Sequence, residues 1–320
     1  MNFWNKLKKP FFVLAPMADV TDCAFRQIIN KYGKPDVFWT EFVSADGLAH
    51  PEAREKLLID FKFTPGEHPI VAQIFGSRPE NIEKAAALCA ELGFDGVDIN
   101  MGCPDKSIEK QCAGAAMMKD PALAREVIRA AKRGARRGGQ APLPVSVKTR
   151  IGYNKNEIQT WLAEILKEDV AALTVHLRTR KEMSLVPAHW DVMPEIVALR
   201  DKLAPGTLII GNGDAVDIAD AKQKVKETGC DGVMLGRAIF GNPWLFAEKI
   251  PTLEEKLKVM IEHTKLFEEL LGQHKNFAIM KKHYKAYVNG FDGAKEMRVE
   301  LMEAENADQI AAIVDNFMNK

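Results

Sequence analysis

The chain has 320 residues, 47% apolar and 28% charged, the balance of an ordinary globular protein with room for one large domain and a small one. Its 44 basic residues match its 44 acidic ones, so no global field attracts a polyanion and any nucleic-acid site must be a local patch. The five cysteines (Cys23, Cys89, Cys103, Cys112, Cys230) are odd in number and widely spaced, which suggests neither a disulfide framework nor a metal site and fits a reducing cytoplasm.

The opening MNFWNKLKKPFFVLAPMADVTD places basic residues before a short apolar run, but Pro16 and Asp19 interrupt that run. No stretch approaches the ~18 apolar residues of a membrane span. A soluble, cytoplasmic protein, monomeric and neither secreted nor membrane-spanning, is expected.

From Phe11 to about Phe246, short β-rich runs alternate with helical patterns. The expected strands are FFVLA (11–15), VFWTE (37–41), IVAQI (70–74), GVDIN (96–100), VSVKT (145–149), ALTVH (172–176), TLIIG (207–211) and GVMLG (232–236). Helical segments are expected over 80–92, 121–133, 156–168, 191–202 and 217–228, with Ser77 and Asp120 as N-caps near Pro79 and Pro121. Eight strands, each followed by a crossover, read as parallel β/α units, and eight is the number that closes a (β/α)₈ TIM barrel. A doubly wound open sheet is the alternative, weakened because no GxGxxG turn follows the first strand. The stretch FKFTPGEH (61–68) reads as a small hairpin or loop on the surface.

Beyond Thr252 the apolar residues recur at three- and four-residue intervals. Four helical segments separated by turns at Gly272, Gly290 to Gly293 and Asn306 read as a small C-terminal helical bundle. The boundary falls near Ile250 and Pro251, giving a barrel over 1–250 and a helical domain over 251–320.

Function in such a barrel sits at the C-terminal strand ends. There the sequence places Pro16, Met17 and Ala18 after strand one, Gln73 on strand three, and Asn100 and Cys103 at strand four. Lys148 and Arg150 alternate on strand five, as do His176 and Arg178 at strand six. Strand seven ends in Asn212-Gly213-Asp214 and strand eight in Gly236-Arg237. Two neighbouring Gly-rich strand ends, each followed by a helix start, suit a phosphate, and Arg237 adds a charged donor. With Lys148 and Gln73 near the mouth, the set suits flavin mononucleotide. Cys103 stands between Gly102 and Pro104, on a backbone that holds a thiol at a fixed angle. Cys112 has no comparable surroundings.

The blocks LAPMADVTDCAFR, VAQIFG, DGVDINMGCPDKSIEKQCAGAAMM, VSVKTRIG, TVHLRTR, IIGNGD and GVMLGRAIFGNPWLF resemble those of tRNA-dihydrouridine synthases, in the same order. The segment MKKHYKAYVNGFDGAKEMR is similar to the one that opens that family's helical RNA-binding domain. The resemblance implies an FMN enzyme that reduces the C5=C6 bond of particular uridines in tRNA with electrons from NADPH, without a metal. By matching positions it implies Cys103 as the general acid for C5, and Pro16, Met17, Ala18, Gln73, Lys148, His176, Asn212, Gly213, Asp214, Gly236 and Arg237 around FMN. Asn100, Arg150 and Arg178 would line the uracil pocket. Departures stand at Ser107, where the family usually has Lys, at Leu177, where it has a small residue, and at Val186-Pro187-Ala188-His189-Trp190. These are expected to alter substrate detail and leave FMN binding untouched.

Two clusters are basic. Residues 129–150 hold seven Lys or Arg and no acid, but their densest part, KRGARRGG (132–139), is a bottom-face connection and reads as a solvated loop. Residues 275–298 hold six Lys or Arg against two acids, with Lys281, Lys282 and Lys285 interleaved with His283, Tyr284 and Tyr287, a pattern suited to RNA backbone and unpaired bases. The competing reading is an FMN-dependent reductase of a free small molecule, a pyrimidine or an enone, on the same barrel.

Overall fold

The computed structural model describes residues 2–136 and 142–319. All eight expected strands form there: β1 (Phe11–Leu14), β2 (Phe38–Ser44), β3 (Ile70–Phe75), β4 (Gly96–Met101), β5 (Val145–Arg150), β6 (Ala172–His176), β7 (Leu208–Asn212) and β8 (Gly232–Leu235). Neighbours pair in parallel in the order β1-β8-β7-β6-β5-β4-β3-β2. The ring closes where Val13 of β1 bridges Val37, the residue before β2. The fold is a (β/α)₈ barrel followed by further helices.

β3 and β4 are buried at every position, as strands must be when barrel interior covers one face and helices the other. Phe11, Val13, Trp39, Val71, Ala172, Ile210 and Met234 form one apolar cluster, which Trp4 completes from a short N-terminal turn. The crossovers carry helices Cys23–Tyr32, Pro79–Glu91, Pro121–Gly134, Met193–Leu203 and Ile218–Thr228. The segment expected as a helix over 156–168 starts instead as a π-turn, Ile158–Leu162, and only then becomes helical over Ala163–Leu166.

Two local expectations are corrected. Asp120 caps its helix, accepting from the Leu123 N–H at 3.0 Å, but Ser77 caps nothing and donates its hydroxyl to the Gln111 carbonyl. The 61–68 segment is no hairpin: Pro65–Glu67 is a 3₁₀ turn under a Thr64–Glu67 capping box, and Glu67 lies buried against Arg26 at 2.7 Å. A Pro-Gly pair signals a turn, but nothing local reveals that the next carboxylate goes inside.

The tail begins with helix Leu253–Leu271, opened by a capping box of Thr252 and Glu255, and continues through Lys281–Tyr287, Ala294–Glu303 and Ala307–Met318. Its first helix lies along the first barrel helix. Phe25 stacks on His263 and meets His283 edge-on, both at 4.7 Å, while Lys31 and Tyr32 bond Glu262 at 2.6 and 2.5 Å. Phe25, Ile28, Phe267, Tyr284 and Tyr287 belong to one continuous core. Among the described residues, no helix is long and apolar enough to cross a membrane.

Candidate active site

The C-terminal ends of β1 and β5 to β8 surround a cavity of about 270 Å³. Pro16, Met17, Lys148, His176, Asn212, Gly213, Asp214, Gly236 and Arg237 line it, together with Arg178 and Ser184. Of the residues expected around a flavin, Ala18 and Gln73 stand outside: Ala18 is exposed one position along the loop, and Gln73 is buried within the barrel. Ser184, on an irregular loop, had no sequence signal.

Three cations and, among the described residues, one carboxylate face this space. Lys148 has no hydrogen-bonded or ion-paired carboxylate among the described residues; burial, then Arg150, pull its ammonium down to about 8, with Asp98 opposing. Burial and the surrounding cations Arg150, Lys148, Arg178 and Arg237 keep His176 neutral, well below its usual range. An anion would relieve both groups, so the donor set fits the phosphate and electron-rich ring of a flavin nucleotide.

At the β7 end, Asp214 is held by both Arg178 and Arg237 and accepts the Ala188 N–H at 2.8 Å. Burial acts to raise its carboxyl, but these bonds outweigh it and leave the group below the usual carboxylate range. Gly213 has φ +135°, and a Cβ there would lie 2.7 Å from the Ala188 Cβ. The helix that follows β7, Ile218–Thr228, is capped by its own Asp217, which accepts from the Asp220 N–H.

Cys103 sits at the end of β4, half-buried. Asn100 Oδ1 accepts the N–H groups of Gly102 and Cys103 at 3.1 and 2.9 Å, and Asn100 Nδ2 donates to Gln73 Oε1 at 3.0 Å. Gln73 Nε2 donates onward to Asp98 at 2.7 Å, and the Ser146 hydroxyl donates to the other oxygen of Asp98 at 2.6 Å. Burial raises Asp98 to about 6 against these bonds. Both Gln73 amide groups are thus engaged inside the barrel. Asp98 was missed by sequence reading, although its alternation with Asn100 on β4 was the available signal. Gly114, at φ +59°, brings the loop so close to the thiol turn that a Cβ would stand 2.7 Å from the Cys103 carbonyl.

Burial lifts the Cys103 thiol above its ordinary range, outweighing a backbone bond from Asp105 and the nearby Lys148 and Arg150 cations. Arg150 is itself tied down, donating to the carbonyls of Gly102, Thr179 and Met183 at 2.8, 3.2 and 3.2 Å. Burial brings its guanidinium to about 10. Arg178 donates to the Val186 carbonyl at 2.6 Å and borders the β7 side of the cavity.

The model for the family described as dihydrouridine synthase matches residues 13–320. The chain belongs to the dihydrouridine synthase family. It is 44% identical to the probable tRNA-dihydrouridine synthase 2 of Bacillus subtilis (strain 168), over 100% of this chain and 97% of that protein. It is 41% identical to the probable tRNA-dihydrouridine synthase of Staphylococcus aureus (strain Mu50), over 99% and 95%. Among solved structures, the old yellow enzyme homologue from Zymomonas mobilis aligns over 77% of this chain and 91% of its own, at TM-score 0.50 and 15% identity, a likeness of fold.

Membership makes the chain an enzyme and a place to weigh its departures from the dihydrouridine synthase pattern. Ser107 is exposed and bonds Asp105, the cap of its own short helix. Leu177 is wholly buried. The segment 186–190 reaches the β7 strand end: besides the Ala188–Asp214 bond, Trp190 Nε1 donates to the Gly213 carbonyl at 2.7 Å. It therefore braces the β7 strand end, which borders the cavity.

The basic tail also needs correction. His283, Tyr284 and Tyr287 are fully buried, so no base can stack on them. Lys281 donates to the Met302 carbonyl at 2.5 Å, and only Lys282 and Lys285 of the three lysines are exposed. Lys275 is half-buried and pairs with acids of the barrel. In the other cluster, Arg129 and Arg133 pair with Glu168 and Glu83, while residues 137–139 of KRGARRGG lie outside the described residues. Among the described residues, no group of three His, Cys, Asp or Glu side chains is placed to hold a metal.

Proposed function

We propose that this protein reduces the C5=C6 bond of uridines in tRNA to dihydrouridine, using FMN and NADPH. The observation that carries the reading is the pairing of a cation-lined cavity at β5 to β8 with a thiol on the turn after β4, held by Asn100 and within electrostatic reach of Lys148. Bound FMN supplies hydride chemistry to the uracil ring.

In this reading Lys148 offers positive charge to the flavin ring, and Arg237, with the backbone of Gly213 and Gly236, holds its phosphate. His176, Asn212, Pro16 and Met17 shape the remaining wall, with Ala18 outside it as the next residue of the loop. Asp214 orients Arg178 and Arg237 rather than meeting the phosphate, since two anions would repel. Gln73 acts through Asn100. Cys103 keeps a proton at Sγ for C5, the duty of a general acid placed opposite the hydride face. Asn100, Arg150 and Arg178 border the uracil, which leaves the tRNA stack to enter. The barrel, 1–250, carries the chemistry, and the 251–320 helices bind RNA through Lys282 and Lys285, with Lys281 bracing them.

The test uses FMN-loaded protein, NADPH and tRNA lacking dihydrouridine. Wild type forms dihydrouridine in tRNA and leaves free uridine and simple enones unreduced. Cys103→Ala stays yellow and loses most product. Full activity in that variant overturns the acid role, and turnover of the free molecules with tRNA inert overturns the substrate.

A further inference from the structure

We infer that Lys275 and Glu41 are positioning residues that tie the C-terminal helices to the loop lining the cavity, so that tail docking and cofactor retention are coupled. The inference rests on reading the cavity as the FMN site.

Glu41 lies on β2, 4% exposed, and one carboxylate serves two masters. Its Oε2 meets Lys275 Nζ at 2.9 Å, and its Oε1 accepts the backbone N–H of Asp19 at 2.5 Å. Lys275 comes from the tail, just after helix Leu253–Leu271, with its own N–H bonded to the Leu271 carbonyl at 2.7 Å. Its side chain is 12% exposed and also meets Asp60 at 2.8 Å.

Asp19 belongs to the loop after β1 and has φ +53°, a left-handed conformation that aspartate tolerates and that a constraint on either side holds here. Glu41 is that constraint on one side, and on the other the Met17 N–H donates to Thr21 Oγ1 at 2.9 Å. Pro16 and Met17 are walls of the cavity. Met17 Sδ lies 3.6 Å from where a side chain on Gly236 would begin, so the loop also abuts the β8 end. An unbroken line of contacts thus runs from the tail through Lys275, Glu41 and Asp19 to the cavity wall.

Removing Lys275 leaves the Glu41 carboxylate buried without its cation, and the charge then turns toward water to be solvated, giving up the orientation in which Oε1 meets Asp19. Coupling of this kind is reciprocal: what favours the docked tail favours FMN, and FMN favours the docked tail. The pair Lys31–Glu262 gives a control, since it bridges the same tail helix to the barrel at 2.6 Å through the helix Cys23–Tyr32 rather than through the Asp19 loop.

The experiment titrates FMN into full-length, flavin-stripped protein by fluorescence quenching and follows hydrogen exchange of residues 273–287 with and without FMN. Lys275→Met is expected to weaken FMN about tenfold and to abolish protection of the tail by FMN. Lys31→Met keeps both, and Lys275→Arg restores most of the affinity. Should Lys275→Met not fold, Glu41→Gln serves: it keeps an acceptor for Asp19, removes one of the carboxylates facing Lys275 while Asp60 and Asp19 remain, holds FMN within about threefold and lowers the tail protection. FMN binding and protection indifferent to Lys275, or lowered equally by Lys31→Met, overturn the inference. Wild-type protein that binds no FMN overturns the cofactor reading itself.

Discussion

Asn100 Oδ1 accepts the backbone N–H of Cys103 at 2.9 Å, so a single buried amide fixes the turn that carries the thiol. Asn100→Ala leaves the Gly102 and Cys103 N–H groups and Gln73 Oε1 without partners, a cost of about 2 kcal/mol in urea unfolding. Single-turnover formation of dihydrouridine should fall by more than the folded fraction does, because the thiol loses its fixed direction. Asn100→Asp keeps the acceptor for Cys103 but faces Gln73 Oε1 with a second acceptor, and should fall between wild type and Asn100→Ala in both measurements.

The Cys103 thiol, lifted by burial, holds its proton above the ordinary thiol range. An acid is active while protonated, so the single-turnover rate should stay flat through neutral pH and decline only on an alkaline limb. Cys103→Ser should be slow and lack that limb. A rate for wild type that declines already between pH 6 and 7 contradicts the assignment.

Lys148 predicts a trade between stability and binding. Its ammonium titrates at about 8 in the fold, below the 10.5 of a free lysine. Between those values the unfolded chain holds more protons, so stability of the flavin-free protein rises with pH across that window, and the full penalty is present below it. Lys148→Met should therefore stabilise the flavin-free protein at pH 7 by about 1–3 kcal/mol, a gain that disappears near pH 10.5, while weakening FMN. Thermal melts at the two pH values and an FMN titration check both halves.

The tail should be acid-sensitive. Burial drives His283 down to about 3 and His263 well below 6.5, and His263 Nε2 and both His283 nitrogens have no hydrogen-bond partner among the described residues. Both are neutral in the fold, so their contribution is intact above about 6.5, the free-histidine value, and is lost as pH falls from there toward 3. His283→Phe should move the acid unfolding midpoint, followed by near-UV circular dichroism, to lower pH. An unchanged midpoint contradicts this.

Much of the barrel was legible because its strands are short β-rich runs at regular intervals, and the cation-bearing strand ends follow by alternation: Lys148 and His176 were placed by spacing and do face one cavity. What escaped was set by pairings distant in sequence. Lys275 reads as one of a row of exposed lysines, yet Glu41, 234 positions earlier, draws it inside. Tyr284 and Tyr287 sit among lysines as an RNA-binding helix would have them, but helical phase turns both into the core against the first barrel helix. Segment 186–190 departs from the family pattern where a loop folds back on β7, a contact that no local pattern announces.

The bridge from Val13 to Val37 has a consequence for the growing chain. Every other adjacent pair of strands shares at least three registered residues, whereas among the described residues β1 and β2 meet through this one bridge. The bonds that tie the tail to the elements beside this joint, Lys31 with Glu262 and Lys275 with Glu41, connect positions 231 and 234 apart. On the ribosome, then, β1 waits for its main partner until β8, Gly232–Leu235, has emerged, and it is in that interval that the protein is most exposed to misassociation.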